Sequence, residues 1–272
     1  MKITVCLVAY SKRYDETKSF QALHSLKEGI KCKLNVRVFD NGLIDYSYIE
    51  MANEFASLNY IYNDLEERGT RVAYQNTMDF SQDEWILLLD DDTAVTENYF
   101  KIIFSELQSN TDITAYCPLI FEGKKQISPT ASDTVDMLLF PKNDGIYNHN
   151  ITGISSCLVI KIDFLKKIGG FNKKFPLDYL DHWLFYQLVD KEKKIKVLPV
   201  EIQHNLSVLK LEEVSKERFE KIFTSEYYFY KHYKPEVFYQ IKKKYVKMII
   251  KGFFNRNLGI RWMILLKILC KF

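Results

Sequence analysis

Four runs rich in aliphatic and β-branched residues alternate with helical periodicity over the first 110 residues. "KITVCLVAY" (2–10), "LNVRVFDNG" (34–42), "LNYIYN" (58–63) and "EWILLLD" (84–90) read as strands. Between them, Phe20, Leu23, Leu26 and Ile30 recur at helical spacing, and "YSYIEMANEF" (46–55) and "RGTRVAYQNTMDF" (68–80) read as helices; "ENYFKIIFSEL" (97–107) follows as another. This order demands an α/β fold with a mostly parallel sheet flanked by helices. The ligand crevice of such a sheet lies beyond the carboxyl ends of its strands. Those ends carry Tyr10 and Ser11, Asp40 and Asn41, Asn63 and Asp64, and Asp90, Asp91 and Asp92.

After residue 110 the alternation loosens. "ITAYCPLIF" (113–121), "ISSCLVI" (154–160) and "KIKVLPVEIQH" (194–204) read as strands, and "KIDFLKKIGGF" (161–171) and "LDYLDHWLFYQLVD" (177–190) as helices. The polar, turn-rich stretch 122–150 reads as a mobile loop. From about residue 211 the pattern is helical, which divides the chain into residues 1–210 and a helical extension, 211–272. Five cysteines without a CxxC spacing argue against a disulfide framework or a zinc site and for a reducing, cytoplasmic setting. The apolar start is too short for a signal peptide, and no apolar run reaches the roughly 20 residues that span a bilayer.

The net charge of +3 conceals an asymmetry. Residues 231–272 hold eleven Lys and Arg against one acid, Glu236, so the rest of the chain is acidic. "GIRWMILLKILCKF" carries too many apolar residues for an ordinary surface helix and reads as an interfacial helix on an anionic bilayer. The competing reading docks it on residues 1–210 or on a second subunit, which leaves a homodimer open. No recognised nucleic-acid motif accompanies the basic run.

The strongest chemistry sits in "WILLLDDDTAV". Three carboxylates at a strand-to-loop turn make a hard-oxygen site for Mg²⁺ or Mn²⁺, which would relieve their mutual repulsion. A rival is the nucleophile motif of haloacid-dehalogenase-type phosphatases, which also follows an apolar strand. Asp40-Asn41-Gly42 is either a plain turn or a hydrogen-bonding edge for a base or ribose. Asp178 and Asp181 share a helical face; they cap a helix or supply a general base. His204 ends a strand and is either structural or a metal ligand.

As an ordered set these motifs resemble family 2 glycosyltransferases of the GT-A (Rossmann-like) fold, with rhamnosyltransferase-like and galactofuranosyltransferase-like members as the nearest likeness. The likeness runs over about residues 2–206: "VCLVAYS", "VFDNG", "RGTRVAYQN", "LLLDDDT", "ITGISSCLVIKIDFLKKIGGF", "LDYLDHWLFYQL" and "VEIQH". It implies a nucleotide-sugar half (about 1–110) and an acceptor half (about 111–210). On the donor side it implies Ala9, Tyr10, Asp40, Asn41, Asn76, Asp90 and Asp91. Asp90, Asp92 and His204 would hold Mn²⁺ or Mg²⁺. Asp181 would be the catalytic base, and Gly153, Asp178, His182 and Trp183 would form the acceptor side. The implied activity is inverting transfer from a nucleotide-diphosphate sugar, dTDP-rhamnose before a UDP-sugar, to a glycan or lipid-linked oligosaccharide in bacterial surface polysaccharide synthesis. The implied place is the cytoplasm, peripheral on the inner face of the cell membrane. Trp183 stands where the family often has an acid and Gln187 where it has Arg, so a non-catalytic sugar-nucleotide-binding subunit is the other alternative.

Overall fold

All seven residues of β1 (Ile3–Ala9) are buried, as a strand covered on both faces must be. The computed structural model describes the chain except residues 11, 50–53, 110–111, 134–139, 205–213, 255–260 and 272. The remaining strands are β2 (Leu34–Asp40), β3 (Ser57–Tyr62), β4 (Trp85–Asp90), β5 (Ala115–Glu122), β6 (Lys125–Ser128), β7 (Gly145–Tyr147), β8 (Leu158–Lys161) and β9 (Ile195–Gln203). They form one sheet in the order β3-β2-β1-β4-β8-β5-β9-β7, with β6 on β5. β1 to β5 and β9 run in one direction and β6, β7 and β8 in the other.

The helices are α1 (Lys18–His24), α2 (Glu28–Lys31), α3 (Thr70–Phe80), α4 (Glu97–Gln108), α5 (Ile162–Lys167), α6 (Leu180–Asp190), α7 (Lys216–Tyr233), α8 (Phe238–Phe254) and α9 (Arg261–Lys271). Thr17, Thr96 and Ser215 begin α1, α4 and α7, each accepting the backbone N–H three residues on. Strand alternation sorts the core into two layers. Val5, Leu7, Leu87 and Leu89 pack under α1, α2 and α4. Cys6, Val8, Ile86 and Leu88 pack under α3, α5 and α6, and the same layer continues into α7, α8 and α9. Each buried leucine is worth about 1.5–3 kcal/mol, enough for β4 to carry an unfavourable acid at its end.

Two expectations change. Over 46–55 the described part is not helical: Tyr46–Ile49 is a turn, with Ile49 N–H donating to Tyr46 O at 3.1 Å. Asp45 Oδ1 accepts from Ser47 N at 2.8 Å and Tyr60 Oη from Tyr46 N at 2.9 Å; these local partners compete with a helix. The stretch 122–150 is not one loop. It holds β6 and β7, and Thr130 bridges to both Pro141 and Thr152; residues 134–139 fall outside the described set. The division near residue 211 also falls outside it, within 205–213.

Candidate active site

The register of β4 decides where the acids go. Asp90 shares the parity of Ile86 and Leu88, so its side chain lies on the layer of α3 and α6, where Tyr74 Oη donates to Asp90 Oδ1 at 3.2 Å. Burial pushes the Asp90 carboxyl up to about 7; repulsion from Asp92, Asp91 and Asp181 adds to this and the Tyr74 hydrogen bond opposes it. Burial and Asp92 also raise Asp91, whose carboxylate accepts the backbone N–H of Tyr10. Asp91 therefore ties the end of β4 to the end of β1.

Asp92 Oδ1 lies 3.2 Å from His204 Nδ1. His204 follows β9 and donates its N–H to Phe121 O at 3.0 Å. Burial lowers its pKa and Asp92 opposes that shift, so the imidazole is neutral at pH 7. Thr93 Oγ1 sits 2.8 Å from the same Nδ1 and 2.8 Å from Ser156 Oγ. Ser19 Oγ accepts from Thr93 N at 2.9 Å and donates to the carbonyls of Thr93 and Asp90. This hydroxyl frame fixes the acidic turn from behind. Sequence reasoning missed Ser19, Tyr74, Thr93, Ser155 and Ser156; the hydroxyl-rich "ISSC" beside the acidic turn was the available signal.

On the donor side, Asp40 shares the parity of Val36 and Val38 and has no accessible surface. Its Oδ1 accepts from Gly42 N at 2.7 Å and its Oδ2 from Tyr60 Oη at 2.9 Å, while burial raises its pKa. Asp40 thus builds the turn beside the crevice. Asn41 is also buried; it donates to Gly69 O at 2.9 Å and accepts from Asn63 Nδ2 at 2.7 Å. Arg68 Nη1 reaches Asn63 O at 2.5 Å, with its guanidinium 6.0 Å from the Tyr62 ring, which sets a cation at the tips of β2 and β3. Ala9 ends β1, and Tyr10 is exposed there. Asn76 is not brought to the crevice. Its Oδ1 accepts from Arg37 at 3.1 and 3.3 Å, because a residue two positions from Tyr74 lies about 200° around the helix.

The segment expected on the acceptor side, from Asp178 to Trp183, is held by α7. Asp178 Oδ2 pairs with Arg218 Nη1 at 2.6 Å. Burial raises its carboxyl to about 6 against the pull of Arg218. Asp178 is not the N-cap of α6, which is Tyr179, in the left-handed region at φ 65°; Asp181 does lie in the first turn, as expected. Asp181 Oδ1 accepts from His182 N and lies 2.8 Å from His182 Nδ1. Trp183, expected on the acceptor side, is buried in the core, since it sits about 200° around α6 from Asp181. Gly153 is a packing position: a Cβ there would stand 2.8 Å from Ser128 Oγ and 2.9 Å from Phe185.

Two carboxylates and a neutral imidazole are the right donors for a hard divalent ion. Among the described residues, no group of three or more His, Cys, Asp or Glu is gathered tightly enough to hold one alone. A Mg²⁺ or Mn²⁺ ion shared with substrate phosphates would need only one or two protein carboxylates.

Residues 5–169 match the family model described as glycosyl transferase family 2. A comparison with curated protein sequences finds no match. Among solved structures, the chain is similar to S. aureus TarS 1-349 in complex with UDP, at TM-score 0.58 and 14% identity over 83% of this chain and 65% of that one. It is similar to GalNAc-T7 with UDP, GalNAc and Mn²⁺, at TM-score 0.61 and 12% identity over 86% and 49%. It is also similar to the mannosyltransferase PcManGT of Pyrobaculum calidifontis in complex with GDP-Man and Mn²⁺, at 0.56 and 12% over 82% and 62%. The chain spans less than two thirds of the length of each.

Proposed function

The chain belongs to glycosyl transferase family 2, and from that premise we propose that it moves a sugar, with inversion, from a nucleotide-diphosphate donor to a hydroxyl of a glycan or lipid-linked acceptor. The observation that carries this reading is geometric. Asp90, at the end of β4, turns its carboxylate to the sheet face covered by α3 and α6, where Tyr74 donates to it, and Asp181 stands in the first turn of α6. The proposed base thus lies on the side of the sheet to which Asp90 points.

Asp90, Asp92 and His204 would hold a Mg²⁺ or Mn²⁺ ion, whose chemistry when bound is to neutralise the diphosphate as it leaves. Asp91 holds the acidic turn through Tyr10, and Asp40, Asn41 and Arg68 shape the nucleotide end. Asp181 takes the proton of the acceptor hydroxyl, whose oxygen then attacks the anomeric carbon opposite the nucleotide. The bond from that carbon to the diphosphate breaks as the new glycosidic bond forms. His182 fixes the orientation of Asp181, and Asp178 shapes the acceptor pocket.

The phosphatase alternative lacks comparable support, because the residues that match the glycosyl transferase model include the aspartate triplet. dTDP-rhamnose remains our favoured donor, followed by a UDP-sugar, in bacterial surface polysaccharide synthesis. The test is a panel of nucleotide sugars with Mn²⁺ or Mg²⁺, scored for transfer or slow hydrolysis. Turnover of one donor, lowered about 10²–10⁴-fold by Asp181→Asn, supports the reading. Hydrolysis of a generic aryl phosphate without any nucleotide-sugar turnover would refute it.

A further inference from the structure

The C-terminal helices bury one face and leave another uncovered. On α8, Ile241 and Tyr245 are buried in the shared core, and on α9 Leu265 and Ile268 are. Directly opposite, Tyr239, Val246, Ile250 and Phe253 are exposed on α8, and Met263 and Leu266 on α9. At 100° per residue the four α8 side chains form a single stripe, the reverse of the buried one. Lys243 borders that stripe and stands over the Tyr239 ring at 4.3 Å. Lys242 and Lys247 flank it, Lys251 lies beyond Lys247, and all four lysines are exposed.

The charge is one-sided. No acid occurs after Glu236. Other cations pair within the chain: Lys244 with Glu226 at 2.7 Å and, at the surface, Lys267 with Glu220 at 3.0 Å, while Arg261 donates to Val214 O. Among the described residues, no helix is long and apolar enough to cross a membrane. An apolar stripe set among lysines, on helices that themselves carry no acid, complements an anionic lipid surface, where the rings and aliphatic chains enter the headgroup boundary and the ammonium groups meet phosphates.

We propose that the outer face of α8 and α9 docks the enzyme on an anionic lipid bilayer. The position of α8 gives this a consequence for the acceptor, which rests on the glycosyltransferase reading above. Lys244 shares Glu226 Oε1 with Tyr179, whose hydroxyl lies 2.6 Å from it. Tyr179 sits between Asp178 and the base Asp181. Lys244 lies on the side of α8 away from the stripe, so docking through α8 would hold the acceptor side about one helix diameter, about 10–12 Å, from the bilayer, within reach of a lipid-linked acceptor.

The test floats the full chain with vesicles of phosphatidylcholine, alone or mixed with phosphatidylglycerol, at low and high salt. The mixed vesicles should capture the protein at low salt and release it at high salt. Reversing Lys247 and Lys251 to Glu should weaken capture by about 25-fold or more, at roughly fivefold per lysine. Ile250→Ser should weaken it by about tenfold. Circular dichroism and donor binding, unchanged in each variant, would exclude misfolding. Equal capture by neutral vesicles, no capture, or capture indifferent to these substitutions would overturn the proposal. So would sedimentation showing a dimer that Ile250→Ser dissociates, since the face would then belong to a second copy. Flotation needs neither donor nor acceptor, so its failure and the failure of the transferase reading are separate results.

Discussion

Tyr179 donates its hydroxyl to Glu226 Oε1 at 2.6 Å and, beside the Arg218–Asp178 pair, this hydrogen bond joins α7 to the segment that carries the proposed base, Asp181. Tyr179 is a non-glycine residue at φ 65°, a conformation that costs about 1 kcal/mol or more and persists only where its surroundings enforce it. Glu226 supplies that enforcement, together with ring packing on Phe229, at 5.6 Å between centroids.

Glu226→Ala is expected to lower kcat about tenfold or more through misplacement of Asp181, with donor affinity unchanged. Glu226→Gln keeps an acceptor for Tyr179 and should recover much of the loss. Steady-state kinetics beside donor titration separate the two effects. Equal kcat in the wild type and the Ala variant would show that the link does not position the base.

Asp178 sets a pH dependence of stability. Burial holds its folded carboxyl at about 6, above the ordinary 3.8. Between those values the folded chain keeps a proton that the unfolded chain has released, so this contribution favours folding at low pH and is lost as pH rises through about 6. The stability difference between the wild type and Asp178→Asn should therefore be more favourable to the wild type at about pH 4 than at about pH 7.5, by on the order of 2–3 kcal/mol. Thermal melts across that range measure it, and a difference of opposite slope contradicts it.

Gly69 is tightly confined. At φ 142° an added Cβ would stand 2.3 Å from Pro176 O, the same carbonyl that accepts from Arg71 N at 3.1 Å. Gly69→Ala should cost at least about 1–3 kcal/mol and push α3 away from the 176–178 segment. A melt should show the loss as a Tm lower by several degrees. An unchanged Tm would mean that the segment yields freely.

Much of this was legible in the sequence. The four parallel strands and the acidic turn follow from apolar periodicity and from polar residues gathered at strand ends, while the grouping of Asp92 with His204 came only from the family resemblance. Side-chain direction was harder to read. Asp40 ends its strand with the parity of Val36 and Val38, so it faces inward and is wholly buried. Asn76 and Trp183 each sit two positions from a residue that does face the crevice, and two positions is half a turn of helix too far. Ser19 and Ser156 meet Thr93 only because β1, β4 and β8 are adjacent in the sheet, which no local pattern encodes. The anchoring of Asp178 and Tyr179 by Arg218 and Glu226 spans 40 and 47 residues and was likewise invisible.

The central claim, a metal-assisted nucleotide-sugar site with a separate base, is tested most directly by calorimetric titration of nucleotide sugars into the full chain with Mn²⁺ and again with a chelator. The account predicts that at least one nucleotide sugar binds with the metal and is lost with the chelator. It further predicts that Asp92→Ala abolishes this binding and that Asp181→Asn preserves it. Binding indifferent to the metal and to Asp92→Ala, or no binding of any nucleotide sugar, would contradict it.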